Sequence, residues 1–123
     1  MISVDTHILI RLLTRDDEAQ FQKAYQLFQN AVFIPDTVIL ETEWVLRYAY
    51  EFQPLEIGEG LRKLLGLSNI HCAHPSVVVE ALKWHGQGMD FADALHLGLS
   101  RGCSGLETFD QTFVKKGEVL FFL

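Results

Sequence analysis

Short apolar runs alternate with longer segments of helical periodicity along this 123-residue chain. Five runs have the length of strands, and most are rich in β-branched or aromatic residues. They are residues 1–4, 32–34, 69–72, 106–109 and 119–122, of which 69–72 is the weakest. Strands that alternate with helices usually pair in parallel. The pattern therefore predicts an α/β fold with a small, mostly parallel sheet flanked by helices on both faces.

The segments between these runs predict helices with recognisable starts. Acidic, hydroxyl or proline residues stand where the helices begin, as is typical of helix N-termini. The predicted segments are 6–13, 16–28, 36–50, 54–65, 76–85 and 90–101, with a short helical turn at 110–116. The length favours a single domain over residues 1–123, because one core suffices for a chain of this size.

Composition narrows the function classes. The formal net charge is −6 at pH 7, which argues against a protein that coats nucleic acid by charge alone. It does not exclude a nuclease, because bound metal ions reverse the local charge of an acidic site. Cys72 and Cys103 lack metal-binding spacing and cannot staple a disulfide-rich fold. Asp5 and Arg11 interrupt any signal-like stretch, and no run is long enough to span a bilayer, so we expect a cytoplasmic protein.

Two carboxylates directly follow predicted strands. Asp5 follows the first strand, and Asp110 follows the run 106–109. Ligands of open α/β sheets collect outside the carboxyl ends of the strands, so both residues belong at that edge. Each has an alternative role as a helix N-cap, which Thr6 could fill in place of Asp5.

Two further acids lie on predicted helices. Glu41 has Val38 and Val45 at helical spacing, which places it on an apolar stripe where a carboxylate needs a partner. Glu43 has Arg47 four residues on, which predicts an ordinary surface ion pair. We therefore assign Glu41 to the site and Glu43 to the surface.

Asp90 and Asp93 are one helical turn apart after a glycine-rich break. Asp90 is interpreted as an N-cap with a secondary electrostatic role, and Asp93 as the principal ligand of a metal ion or the anchor of a metal-bound water. Thr108, two residues before Asp110, offers a hydroxyl that could fix a carboxylate or a water. Converging carboxylates repel one another, and a divalent cation held by carboxylates and water resolves this and suits phosphate chemistry.

Four stretches resemble the PIN-domain ribonucleases, and among them the VapC-like toxins of toxin–antitoxin pairs. MISVDTHILIRLL resembles the family's start, with Asp5 as the matching acid and His7 where Asn is usual. VILETEWVLR and DFADALHL resemble the second and third acidic motifs, with Glu41 and Asp93 matching. TFDQTF resembles the last motif, with Thr108 and Asp110 matching. The four occur in order over nearly the whole chain.

The resemblance implies a three-layer α/β/α fold, a Mg²⁺ or Mn²⁺ site, and cleavage of single-stranded RNA. It also implies a homodimer and inhibition by a small antitoxin protein. On this hypothesis Asp5, Asp93 and Asp110 bind metal, Glu41 completes the catalytic set, and water attacks the phosphate. The departure at His7 leaves the substrate contact of that position open.

The sequence signals for RNA-contacting residues are weaker than those for the acids. Basic residues that could hold the RNA backbone are Arg11, Arg15 and Lys115 or Lys116, although solvated surface charge is the favoured interpretation of any single one. Phe91 and Trp84 could stack on bases, but core packing is the simpler interpretation.

Three alternatives stay open. His71, Cys72 and His74 could form a soft-metal site, although no second ligand pair accompanies them. A Mg²⁺ phosphatase or phospho-acceptor domain would use an aspartyl nucleophile. A metal-free interaction module would bind a partner's arginine in the acidic pocket.

Overall fold

The structure of the chain, a computed structural model, describes residues 1–121, with side chains through residue 117. The backbone forms two compact units, Met1–Pro75 and the residues from Ser76 onward. A single domain over 1–123 stays a prediction.

The first unit contains a three-stranded parallel sheet. Its strands are β1 (Ile2–Ser3), β2 (Val32–Phe33) and β3 (Ile70–His71), in the order β1-β2-β3. Val32 pairs with Ile2 on one side and with Ile70 on the other. The first three predicted strands and their parallel pairing are therefore confirmed, including the weak third one.

Four helices connect and cover these strands. They are α1 (Thr6–Thr14), α2 (Glu18–Leu27), α3 (Asp36–Tyr48) and α4 (Pro54–Leu65). Local chemistry sets where they begin: Asp17 caps α2, and Gln53 and Glu56 form a capping box at α4. At α3 the N-cap is Pro35, and Asp36 is the first helical residue instead of the predicted cap. The unit's core contains the buried residues Leu9, Val32, Ile34, Ile39, Ile57 and Leu61.

The second unit is helical in the residues that the structure describes. Helix α5 (Pro75–Gly86) begins at the last residue of the first unit, and α6 (Phe91–Leu99) and α7 (Gln111–Phe121) follow. Gly98 allows α5 and α6 to pack closely, because a Cβ there would lie 2.8 Å from Val77 Cγ1. Buried residues of this unit include Val78, Ala81, Trp84, Phe91, Ala94 and Phe113.

Two strand predictions are wrong. Residues 106–109 have no regular structure, and 119–121 belong to α7, whereas Phe122 lies outside the described residues. Apolar runs this short form strands only when a neighbouring strand pairs with them, and the described sheet ends at β3. The predicted helical turn at 110–116 is instead the beginning of a helix of 11 residues.

Within residues 1–121, none of the helices combines the length and apolar character needed to cross a bilayer.

Candidate active site

In the first unit, Asp5 and Thr6 lie where β1 passes into α1. The Asp5 carboxylate caps α1 by accepting from the backbone N–H of Ile8 at 3.3 Å, and it is exposed. Thr6 is buried, and its hydroxyl donates to the Glu41 carboxylate on α3. The start of α1 is thus linked directly to the candidate acid of α3.

The predicted burial of Glu41 and the predicted exposure of Glu43 are both wrong. Glu41 is exposed, whereas Glu43 is only 1% exposed and belongs to the core. The Arg47 guanidinium donates to both Glu43 oxygens, at 2.6 and 3.2 Å, so this pair is a buried structural pair and not a surface one. The buried stripe of α3 passes through Thr42 and Glu43, one residue away from the stripe expected from the sequence. Glu41 nevertheless remains a candidate, because exposure leaves its carboxylate accessible.

In the second unit, three candidate acids lie at the beginnings of α6 and α7. Asp90 caps α6 by accepting from the Asp93 backbone N–H at 3.2 Å, as predicted. Asp110 caps α7 by accepting from the Phe113 N–H at 3.1 Å. The Thr108 hydroxyl accepts from the Asp110 backbone N–H at 3.1 Å. Asp110 therefore follows a loop and not a strand. The carboxylates of Asp90 and Asp110 are both held in place by hydrogen bonds from backbone N–H groups.

The electrostatics of this acidic group centre on Asp93. Burial raises the pKa of the Asp93 carboxyl, and the negative charges of Asp90 and Asp110 raise it further, while His96 acts in the opposite direction. A carboxylate whose ionised form is disfavoured by burial and by like charges is stabilised when a cation binds.

A cavity of about 540 Å³ adjoins these acids. It is lined by Asp93, His96, Leu99, Ser100, Leu106, Glu107, Thr108, Asp110 and Phe113. The structure thus brings three predicted site residues, Asp93, Thr108 and Asp110, around one space. Glu107 was not identified from the sequence. The signal that could have found it is its position directly before Thr108, a predicted site residue. His96 lies three residues after Asp93 on α6 and also lines the cavity.

Comparison with known protein families decides the classification. The family model of the PIN domain matches residues 2–119. The chain belongs to the PIN-domain family. Neither a curated protein nor a solved structure matches the chain significantly. PIN domains are generally nucleases and usually use divalent metal ions. The predicted fold class, an α/β/α fold with a small parallel sheet, is confirmed.

The acids of this PIN domain fit a hard divalent cation in their donor chemistry. Carboxylate oxygens are the ligands that Mg²⁺ and Mn²⁺ prefer. Within the part of the chain that the structure describes, no three or more His, Cys, Asp or Glu side chains are arranged to enclose a metal ion. Mg²⁺ typically binds through one or two carboxylates and keeps several waters. Two carboxylates, those of Asp93 and Asp110, are therefore enough protein ligands for one ion.

The predicted RNA-contacting cations differ in their surroundings. Arg11 donates to Gln20, Asp16 and Tyr50. Arg15 forms two hydrogen bonds with Glu18 and thereby holds the pKa of that glutamate at about 2. Both arginines therefore have acidic partners on the protein itself. Lys115 and Lys116 lie on α7, where Lys115 is exposed.

Stacking of RNA bases on Phe91 or Trp84 is not possible in this structure. Phe91 is 0% exposed and Trp84 is 4% exposed, so both belong to the core of the second unit.

The alternative soft-metal site receives no support from the described residues. His74 Nδ1 lies 2.8 Å from an Asp36 carboxylate oxygen, so this ring is engaged in a hydrogen bond. Burial raises the pKa of the Cys72 thiol, and the charge of Asp36 adds to this. The thiolate that a soft metal needs is therefore disfavoured at neutral pH.

Proposed function

We propose that this PIN domain is a metal-dependent endoribonuclease that cleaves RNA phosphodiester bonds with water as the nucleophile. The observation that supports this most is the arrangement of Asp93 and Asp110 beside one cavity, with Asp90 close enough to raise the pKa of Asp93. Such charge accumulation costs stability unless a cation is bound, and it is the arrangement that metal-assisted phosphate chemistry uses.

Asp93 and Asp110 would hold Mg²⁺ or Mn²⁺ in this proposal. When bound, the ion supplies charge neutralisation at the phosphate and lowers the pKa of water. The chain's own residues position the ligands. Asp90 fixes the first turn of α6, and the Thr108 hydroxyl fixes the backbone of Asp110. Each ligand is thus held on the rigid beginning of a helix.

The acids of the first unit are proposed to be needed for the same reaction. Glu41 accepts from the Thr6 hydroxyl, which fixes the orientation of its carboxylate. Asp5 Oδ1 accepts from the backbone of α1, and the residue is exposed to solvent. Because water and not the ribose 2′-hydroxyl is the nucleophile, the products carry 5′-phosphate and 3′-hydroxyl ends.

A role as the toxin of a toxin–antitoxin pair is proposed from the four motifs alone. It includes inhibition by a small antitoxin protein and assembly as a homodimer. In such a pair, a basic side chain of the inhibitor would bind the same acidic group that binds the metal, because both supply positive charge.

The decisive experiment replaces single acids by asparagine. Asn caps helices about as well as Asp, so Asp5→Asn and Asp110→Asn preserve the N-caps of α1 and α7. Asp17→Asn is the matched control, because Asp17 caps α2 in the same way, accepting from the Gln20 N–H at 3.0 Å. Each variant is incubated with end-labelled single-stranded RNA and Mn²⁺ or EDTA.

We expect Mn²⁺-dependent cleavage by the native chain and by Asp17→Asn. Asp5→Asn, Asp93→Asn and Asp110→Asn should each lose at least about a hundredfold in rate, the scale of losing one charge-stabilising group. Products with 2′,3′-cyclic phosphate ends would rule out the water mechanism. Absence of both cleavage and Mn²⁺ binding in a folded protein would favour a non-catalytic interaction module.

A further inference from the structure

A PIN domain with a net charge of −6 needs contacts other than charge to hold RNA. Two of its candidate cations are already engaged, Arg11 with Asp16 and Arg15 with Glu18. Proteins that bind single-stranded RNA obtain much of their affinity and specificity from stacking and from hydrogen bonds to base edges. The cavity beside Asp93 and Asp110 offers both kinds of contact.

The cavity is lined by both apolar and polar side chains. Leu99, Leu106 and Phe113 supply the apolar surface, and the exposed imidazole of His96 supplies an aromatic ring. Its volume of about 540 Å³ lies within the range of pockets that bury small ligands. A single nucleobase with its ribose therefore fits, next to the carboxylates that the proposed function assigns to the metal.

Hydrogen-bonding groups in the cavity are mostly acceptors. The Ser100 hydroxyl already donates to the backbone carbonyl of His96 at 2.6 Å. With Asp93 and Asp110 assigned to the metal, Glu107 is the remaining carboxylate that lines the cavity. An ionised carboxylate only accepts hydrogen bonds, and it offers two oxygens side by side.

We propose that this cavity binds a guanine base of the RNA, with Glu107 accepting from the base's N1–H and N2–H groups and His96 stacking on its face. The inference rests on the proposed function for the identity of the ligand as RNA. Guanine is the one standard base whose Watson–Crick edge presents two adjacent donors. Adenine and cytosine present one donor beside an acceptor, and uracil presents one donor between two acceptors.

The first test uses nucleosides, because they lack the phosphate that the acids would repel. Binding to the full chain is followed by NMR chemical shifts of the α6 and 105–110 amides. Guanosine should bind more tightly than inosine, which lacks the N2 amino group, and adenosine should bind most weakly. A bidentate contact to a base typically contributes about tenfold or more in discrimination. Glu107→Gln should remove the preference for guanosine over inosine.

The stacking role of His96 is tested with two variants, one that removes the aromatic ring and one that keeps it. His96→Ala should weaken every purine nucleoside, whereas His96→Phe should retain binding because the aromatic face is kept. Glu59→Gln, an exposed glutamate on α4 that pairs with Lys63, is the control and should change nothing. Equal binding of guanosine, inosine and adenosine, or no binding of any of them, overturns the inference.

The second test maps cleavage sites in an RNA of random sequence. We expect enrichment of guanine at one fixed position next to the cut and a loss of that enrichment in Glu107→Gln. Cleavage with no guanine preference refutes the base pocket and leaves the nuclease intact. Guanosine binding without any cleavage supports the pocket and refutes the nuclease.

Discussion

Arg47 is expected to be the most sensitive surface-accessible residue of the first unit. The Arg47 side chain is partly exposed, at 24%, but its guanidinium pairs with a Glu43 side chain that is only 1% exposed. Replacing Arg47 by Met keeps the aliphatic stem and leaves the buried carboxylate without this guanidinium. Removing one partner of a buried pair is costly because the remaining charge keeps its desolvation penalty.

The magnitude follows from the geometry. Loss of one partner of a fully buried pair costs about 3–5 kcal/mol, and water access to Arg47 places this site at the lower end. The guanidinium also lies 4.5 Å from the Tyr48 ring centre, a contact that contributes about 0.5–1 kcal/mol. Together these two contributions predict that Arg47→Met lowers the unfolding free energy by about 4 kcal/mol. For a chain of this size that corresponds to a melting temperature lower by about 15 °C.

The assay is thermal and urea unfolding followed by circular dichroism. Glu43→Gln should cost less than Arg47→Met, because the guanidinium it leaves can turn toward water. Arg15→Met is the matched control, because Arg15 also stacks on an aromatic ring, that of Phe21 at 4.1 Å, but pairs with Glu18 at the surface. Its loss should therefore shift the midpoint far less than Arg47→Met does. If Arg47→Met and Arg15→Met had equal midpoints, the conclusion that the Arg47–Glu43 pair offsets the cost of burying the Glu43 carboxylate would be refuted.

Three further predictions concern single positions. The raised pKa of Asp93 means that the folded state holds this proton more tightly than the unfolded chain, so stability falls as pH rises from the ordinary aspartate pKa through the raised one. In EDTA, Asp93→Asn should therefore have a higher melting temperature than the native chain at neutral pH. Below the ordinary aspartate pKa the two melting temperatures should be equal. A lower melting temperature of the variant at neutral pH would contradict this. Thr6→Val removes a buried donor and should cost about 1 kcal/mol in urea unfolding and slow RNA cleavage, with Thr6→Ser close to native in both. Gly98→Ala should destabilise by about 1–3 kcal/mol because its Cβ meets the stiff Val77 side chain, whereas Gly60→Ala, with open space around it, should stabilise the same chain; equal midpoints for the two variants would count against the packing argument.

Local chemistry explains which elements could be predicted from the sequence. Helix α4 begins and ends as predicted, at Pro54 and Leu65, because Pro54 and the Gln53–Glu56 capping box determine its start within four residues. The parallel pairing of the first three strands also followed from the alternation of strands and helices. These features depend on neighbours in sequence and on general rules of connection.

The errors arose where distant contacts decide. Glu41 and Glu43 are two residues apart on one helix, and apolar residues occur on both faces of α3. Only the position of the core shows that Glu43 is buried and that Arg47 neutralises it. The run 106–109 has strand-like residues but no strand partner in the described sheet. The sequence predicts the four candidate acids, whereas the cavity that Glu107 lines is formed by residues that come together only in the folded chain.

Asp5, Asp90 and Asp110 each accept a hydrogen bond from the backbone of the helix that they precede. Since asparagine makes the same bond, the fold does not distinguish the two residues at these positions. The genetic code places them one base change apart. A lineage released from selection for catalysis could therefore lose these carboxylates one at a time without losing its helices. Asparagine at these positions would mark descendants that retain the shape of the protein after its chemistry has been lost.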